Sequence, residues 1–188
     1  MLGGAFSQDA LEVAGGATKS SAGKMRIRRY VQPMPDGSTT VGTYCELRAM
    51  DADADPAQLL ASGKATSTVS LEKAWHGLHF LLTGTAMEGD WPLHFLLLGG
   101  QPLEDEESTR RLSPESVREV HRALAPISEE QLWQRFDPEQ MSSEGVYPEI
   151  WDEPEADLKE EYLMYFQEMK GLIGEAAAVG KAVLISIG

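Results

Sequence analysis

The sequence has a single cysteine, no asparagine and no long uninterrupted apolar run. With Cys45 alone, no disulfide can form within the chain, which excludes the frameworks of small secreted domains. The absence of asparagine removes every N-glycosylation acceptor. No stretch of about 18 apolar residues is present to cross a bilayer, and Asp9 and Glu12 interrupt the region where a secretory signal needs an apolar core. We therefore expect a cytoplasmic protein.

Positive charge is also scarce. The 188 residues include 16 Lys and Arg against 30 Asp and Glu, a net charge of −14. Residues 1–48 hold 6 basic and 4 acidic side chains, so residues 49–188 hold the other 10 and 26, a net charge of −16. Such a surface repels phosphate backbones and anionic lipid headgroups. Nucleic acid and membranes are therefore not expected as partners, whereas a basic protein suits this charge.

The chain length and the 42% hydrophobic content indicate one domain with a substantial core. Residues 1–24 are rich in Gly, Ala and Ser. A segment of this composition buries too little apolar surface to offset the entropy lost on ordering, so we predict a flexible leader. Residues 25–188 are predicted to form a single domain.

Two patterns predict strands. Between positions 41 and 47 every second residue belongs to one buried face, and these residues are Val41, Thr43, Cys45 and Leu47. Residues 25–32 precede this strand across a turn rich in Pro and Gly, so the two segments are expected to form a hairpin. Near the end of the sequence, residues 182–187 are almost all apolar, which indicates a strand buried on both faces.

Several helices are predicted from capping residues and apolar spacing. Ser70 is expected to cap a helix that runs to Gly84. Ser113 is expected to begin a helix that ends near Leu124, and Ser128 begins another, with Gln131 completing a capping box, that ends near Phe136. Few strands with several helices define an α+β fold.

The longest predicted helix begins near Pro154 and ends at Gly180. Its apolar residues recur at helical spacing and are Leu158, Tyr162, Tyr165, Phe166, Met169, Leu172, Ile173 and Ala176. Gly171 and Gly174 interrupt the helix at a cost of about 1 kcal/mol each relative to Ala. We expect another element to pack closely against the backbone at both glycines.

Two neighbouring segments, LEKAWHGLHFLLTG at residues 71–84 and PLHFLLLGGQPL at residues 92–103, resemble the YfbM-like family, a bacterial family of unknown function numbered 1877. The helix start LSPESVREV, the segment GVYPEIW and the terminal strand AVLISIG follow in the family's order. The resemblance covers about residues 40–188, because members begin close to the strand that starts near Val41, and residues 1–38 lie outside it. It implies a single α+β domain with several helices packed on a small sheet. It implies no established activity and no catalytic residue.

A metal site is one hypothesis for the function. His76 and His79 are three residues apart on the helix predicted after Ser70, and Glu72 is expected one turn before His76. A small-molecule or metal-binding enzyme could use this region. The same helix also carries apolar side chains around most of its circumference, and buried helices often hold a hydrogen-bonded histidine with a purely structural role. We favour that structural interpretation, and no metal or cofactor is predicted.

Other candidate residues have a packing role as their favoured interpretation. Cys45 lies on the buried face of its strand, where a thiol acts as a small apolar side chain. The acidic run at residues 104–107 is expected to form a solvated loop, and Arg110 and Arg111 could pair locally with these acids.

An aromatic and acidic segment is the remaining candidate. Its residues are Tyr147, Glu149, Trp151, Asp152 and Glu153. The segment is predicted to be extended, since proline at position 148 restricts the preceding residue. This composition is typical of protein-binding surfaces and equally of loops anchored by their aromatic rings. Together with the charge and the lack of a complete catalytic constellation, it favours a non-catalytic protein-binding domain, such as an inhibitor or immunity protein, over an enzyme.

Overall fold

An antiparallel sheet runs through the computed structural model, which describes residues 43–104 and 106–188, with the side chains at positions 106 and 107 outside the description. These residues belong to one unit, Val41–Gly188. The strands, in the order β2-β1-β5-β4-β3 across the sheet, are β1 (Cys45–Met50), β2 (Ser67–Glu72), β3 (Gln101–Leu103), β4 (Glu106–Leu112) and β5 (Ala182–Ile187). The predicted leader, residues 1–24, and the first strand of the predicted hairpin lie outside the described residues.

Seven helices accompany the sheet in the described part of the chain, as the α+β prediction requires. They are α1 (Pro56–Ser62), α2 (Trp75–Thr83), α3 (Phe95–Leu98), α4 (Pro114–Leu124), α5 (Glu129–Trp133), α6 (Pro138–Ser143) and α7 (Glu155–Ala178). The predicted caps are present: the Ser113 side chain accepts from the Ser116 amide, and Ser128 and Gln131 form the full capping box. Helix α5 ends at Trp133, three residues before the predicted end. None of the described helices has the length and apolar character needed to cross a bilayer.

The terminal strand β5 occupies the middle of the sheet between β1 and β4. Its first four residues are buried, as the apolar run predicts. In β1, Cys45 and Leu47 are buried while Glu46 and Arg48 are partly exposed, which confirms the alternating pattern. Because β2 and β5 occupy both edges of β1, residues 45–50 have no edge left for the hairpin partner expected at residues 25–32.

Helix α7 packs its predicted apolar stripe against the sheet and α4, and every residue of that stripe is buried. The expectation for its two glycines is half correct. A Cβ at Gly174 would lie 3.4 Å from the His121 ring, which is a close contact, but a Cβ at Gly171 would meet nothing within 4 Å. Gly171 is therefore not explained by packing.

The helix predicted from Ser70 begins five residues later, at Trp75. Ser70 and Leu71 belong to β2, which pairs with β1, and Leu71 is completely buried. Glu72 ends this strand with a left-handed φ of 48°. The local signal for a helix cap was therefore overridden by strand pairing, and Glu72 is not on the helix that carries the histidines.

The apolar segment at residues 92–100 is only partly buried: Phe95 and Leu96 are buried, but Leu98 is 49% exposed. The acidic run is not all loop, because β4 begins at residue 106. Arg110 and Arg111 donate hydrogen bonds to the backbone carbonyls of Leu96 and Ala52, and the acidic side chains at positions 105–107 lie outside the description.

Two glycine substitutions test the packing. A Cβ at Gly77 of α2 would lie 2.5 Å from Tyr162 Cε1 and 2.7 Å from the Trp151 ring, whereas the Cβ at Gly171 has open space. We expect Gly77→Ala to lower the free energy of unfolding by about 1–3 kcal/mol through overpacking. Gly171→Ala should raise it by about 0.5–1 kcal/mol, because alanine restricts the unfolded chain and favours the helix. Urea unfolding measures both, and equal effects of the two changes would contradict this packing.

Candidate functional site

Helix α2 places two histidines inside the protein. Its residues are buried around the whole circumference from Trp75 to Leu82, and His76 and His79 are 7% and 0% exposed. Buried imidazoles need hydrogen-bond partners, because an unpaired polar group in the interior is costly. The partners of these two rings define what they can do.

Both ring nitrogens of His76 are engaged by backbone groups from two different loops. Nδ1 accepts from the Tyr147 amide at 3.0 Å, so Nε2 carries the proton and donates to the Ala86 carbonyl at 2.7 Å. Burial lowers the pKa of His76, opposed by the bond to Ala86. The neutral ring therefore ties the loop after α2 to the segment that begins at Tyr147.

His79 has a similar role. Its Nε2 lies 3.0 Å from the Glu88 carbonyl, to which it donates, and its buried Nδ1 has no partner among the described residues. Burial lowers the pKa of His79 to about 4, and the nearby His76 and His94 add to this, while the bond to Glu88 opposes it. The ring is neutral near pH 7.

The structure does not assemble the hypothesised metal site. Glu72 lies at the end of β2, and its Oε1 accepts from Ser70 Oγ at 3.1 Å. His76 has no free ring nitrogen, since both bind backbone groups. Within residues 43–104 and 106–188 no group of three or more His, Cys, Asp or Glu side chains could hold a metal ion. The histidines instead position loops.

Trp151 anchors one of those loops. The side chain is 5% exposed, and its Nε1 donates to the Val146 carbonyl at 2.8 Å. The ring lies 5.7 Å from that of Tyr162 and 6.4 Å from that of Phe136, measured between centroids. Tyr147 is half-buried, 6.3 Å from the Trp75 ring. Of the two interpretations of this segment, the contacts of Trp151 match anchoring of the loop.

The anchored loop presents carboxylates to solvent. Glu149, Asp152 and Glu153 are exposed. Asp152 and Trp151 border a shallow depression whose other lining residues are Pro138, Glu139, Ser142 and Ser143 of α6. The three predicted carboxylates of this loop are therefore exposed, whereas Trp151 is mostly buried.

This acidic surface extends along α7. Burial raises the pKa of Glu161, and repulsion from Glu153 raises it further. Burial also raises the pKa of Tyr165, and so do the negative charges of Glu161, Glu72 and Glu168 in that order. We call the four carboxylates at positions 72, 153, 161 and 168 the acidic track.

Two ion pairs in the described part of the chain, Arg48 with Glu46 and Lys181 with Asp51, do not include a carboxylate of the track. Burial is the larger cause of the raised pKa of Glu161 and repulsion from Glu153 adds to it, whereas a nearby cation would lower this pKa.

Cys45 has no place in this site. The thiol is fully buried, and desolvation raises its pKa to about 12, with Arg110 opposing the shift. A protonated, inaccessible thiol is not a nucleophile. Its contacts are those of the core, as the sequence predicts.

Sequence reasoning missed Glu161 and Glu168. Both flank the apolar stripe of α7, so a helical projection places them beside Tyr165. That projection could have identified them as the rim of the buried face. Their proximity to Glu72 and Glu153 depends on how α7 packs, which no local pattern reveals.

The chain matches a known family, and its fold is shared with a solved structure. The family described as "Domain of unknown function (DUF1877)" matches residues 38–186, and the chain belongs to it. This confirms the YfbM-like resemblance.

A solved structure, that of a protein of unknown function, YfbM from Escherichia coli, is similar with a TM-score of 0.63 and 19% sequence identity, covering 77% of this chain and 99% of that one. At this identity the similarity shows the fold alone. No curated protein matches the sequence.

The histidines make stability depend on pH. The unfolded chain binds a proton at each imidazole near pH 6.5, whereas His79 in the folded protein does so only near pH 4, so acid favours unfolding between these values. We expect His79 to cost the wild type up to about 1 kcal/mol of unfolding free energy from pH 6.5 to 5.5. His79→Gln keeps a neutral donor and should lose less over the same interval. Urea titrations at both pH values measure the difference, and identical losses in the two proteins would contradict the neutral, buried ring.

Proposed function

We propose that this domain is a non-catalytic protein-binding module that presents an acidic surface to a basic partner, as an inhibitor or immunity protein does. The observation that carries the proposal is the set of exposed carboxylates on one anchored loop, Glu149, Asp152 and Glu153, which take no part in the Arg48–Glu46 and Lys181–Asp51 ion pairs. Repulsion from Glu153 also contributes to the raised pKa of Glu161. A Lys or Arg from a partner would relieve this repulsion, because opposite charges within about 4–6 Å favour the ionised carboxylate.

The loop at residues 147–153 presents these carboxylates on a fixed backbone. Its carboxylates at 149, 152 and 153 are exposed, and its backbone is fixed by the Trp151 and His76 hydrogen bonds. A rigid loop loses little conformational entropy on binding, which favours affinity. In this proposal Trp151 contributes to binding mainly because it holds the loop in place. Only the small exposed part of its ring would contact the partner.

Electrostatic attraction sets the kinetics we expect. Complementary charges accelerate association, and salt weakens them because the screening length is about 8 Å at physiological ionic strength. We expect the interaction to take place in the cytoplasm, because a free, buried cysteine such as Cys45 is typical of proteins in a reducing compartment. Membership of a family of unknown function neither supports nor opposes a basic partner or a cytoplasmic location.

The test compares two triple variants of equal charge. Glu149→Gln with Asp152→Asn and Glu153→Gln neutralises the loop. Asp53→Asn with Glu104→Gln and Glu115→Gln neutralises exposed acids that lie outside the loop and α7. A basic partner captured from the native host is then measured by surface-binding kinetics. We expect the loop variant to lower the association rate about tenfold or more at low salt and the control variant to change it much less.

At high salt the association rates of wild type and the two triple variants should become similar, because screening removes the electrostatic advantage of the intact loop. Equal effects of the two triple variants, kinetics that do not respond to salt, or failure to capture a basic partner would each refute the proposal.

A further inference from the structure

The two edges of the sheet differ in how they are protected. Edge strand β3 has three residues, contains Pro102 and has an irregular register beside Leu103. These features prevent another strand from pairing there. Edge strand β2 has six residues, STVSLE, with no proline and no lysine, and its one register shift lies near its end, at Leu71, so that Ser67 to Ser70 pair regularly with β1. Of the two edges, β2 is the one that can accept a further strand.

The pairing pattern identifies which backbone groups of β2 are available. Tyr44 and Gly188 exchange both hydrogen bonds, so Tyr44 faces β5. Since successive residues of a strand face opposite sides, Leu47 faces β2 and pairs there with Val69. The N–H and C=O groups of Thr68 and Ser70 then point away from β1. No strand within the described residues pairs with this edge.

The two faces beside the edge have different chemistry. Val69 and Leu71 lie on the face that α7 covers, and there Glu161 and Glu168 of α7 surround Tyr165 together with Glu72. The opposite face carries the hydroxyls of Thr68 and Ser70. A strand added to β2 would therefore place alternate side chains beside carboxylates and beside hydroxyls.

We propose that β2 is a docking edge for an extended segment of the basic partner, which adds as a sixth, antiparallel strand with Lys or Arg directed to the α7 side and small β-formers such as Thr on the other. The inference rests on the proposed function, because it names how the basic partner engages the acidic surface. Main-chain hydrogen bonds to Thr68 and Ser70 supply affinity, and the carboxylates of α7 select the charge.

The probe is an octapeptide of alternating Lys and Thr. Residues opposite each other on paired strands share a face, so the peptide's Thr residues would lie opposite Thr68 and Ser70 and donate to them. N-methylation of the Thr residues removes these donors, whereas N-methylation of the Lys residues alters only amides that face solvent. Fluorescence anisotropy should show binding at least tenfold weaker for the Thr-methylated peptide and nearly unchanged binding for the Lys-methylated control.

A substitution in β2 tests the docking edge independently of the peptides. Thr68→Pro removes the outward donor at a position where an edge strand tolerates proline, and Thr68→Ala is the matched control. We expect the proline variant to bind the unmodified peptide at least tenfold more weakly, with circular dichroism checking its fold. If that variant is unfolded, the comparison of the methylated peptides decides alone.

The outcomes separate this inference from the proposed function. Equal binding of all three peptides, lowered alike by the loop triple variant, would refute the docking edge and leave an acidic binding surface. No binding of the unmodified peptide would refute the docking edge. A dimer in sedimentation that Thr68→Pro dissociates would also refute it, since the edge would then pair with a second copy of the chain.

Discussion

The neutral imidazole of His76 is the constraint on which the rest of the surface depends. It is the point where α2, the loop after α2 and the segment from Tyr147 meet, through two hydrogen bonds of opposite direction. A protonated ring would present a donor to the Tyr147 amide, which is itself a donor, so this contact requires the unprotonated state. Burial of the ring in a helix that is apolar on all sides maintains that state.

The same turn of α2 brings in the aromatic core. Gly77, next to His76, lets the rings of Tyr162 and Trp151 approach the helix backbone more closely than any side chain would allow. Trp151 in turn holds the loop whose carboxylates face solvent, and Tyr162 sits on α7 beside Glu161. The acidic surface is thus a consequence of how tightly α7 and the loop pack on α2. The positions of the exposed carboxylates and the close packing of α7 and the loop beneath them therefore depend on each other.

Sequence patterns predicted the elements that are defined by their own residues. The stripe of α7 and the caps at Ser113 and Ser128 are local features, and the structure contains them. The helix predicted from Ser70 was wrong because a serine before an apolar residue suits a helix cap as well as a strand. Pairing of this segment with β1 decided between the two. Gly171 has no packing partner, so the expectation of a close contact there does not hold.

The candidate site was less accessible to sequence reasoning. The histidines were correctly interpreted as buried side chains, but the Tyr147 amide that His76 binds is 71 positions away in the chain. The loop acids were identified from their composition. Their continuation through Glu161 to Glu72 depends on the contact of α7 with β2, which only the tertiary structure defines.

The most direct test of the account is the protonation state of the His76 ring in solution. Two-dimensional ¹H–¹⁵N correlation spectra of the imidazole, recorded between pH 8 and pH 5, distinguish the two tautomers and the charged form. We expect a neutral ring with its proton on Nε2 at pH 7 and a midpoint below that of an ordinary histidine, because burial disfavours the charge. A proton on Nδ1, or a ring charged at pH 7, would contradict the contact with Tyr147 and with it the fixed position of the acidic loop.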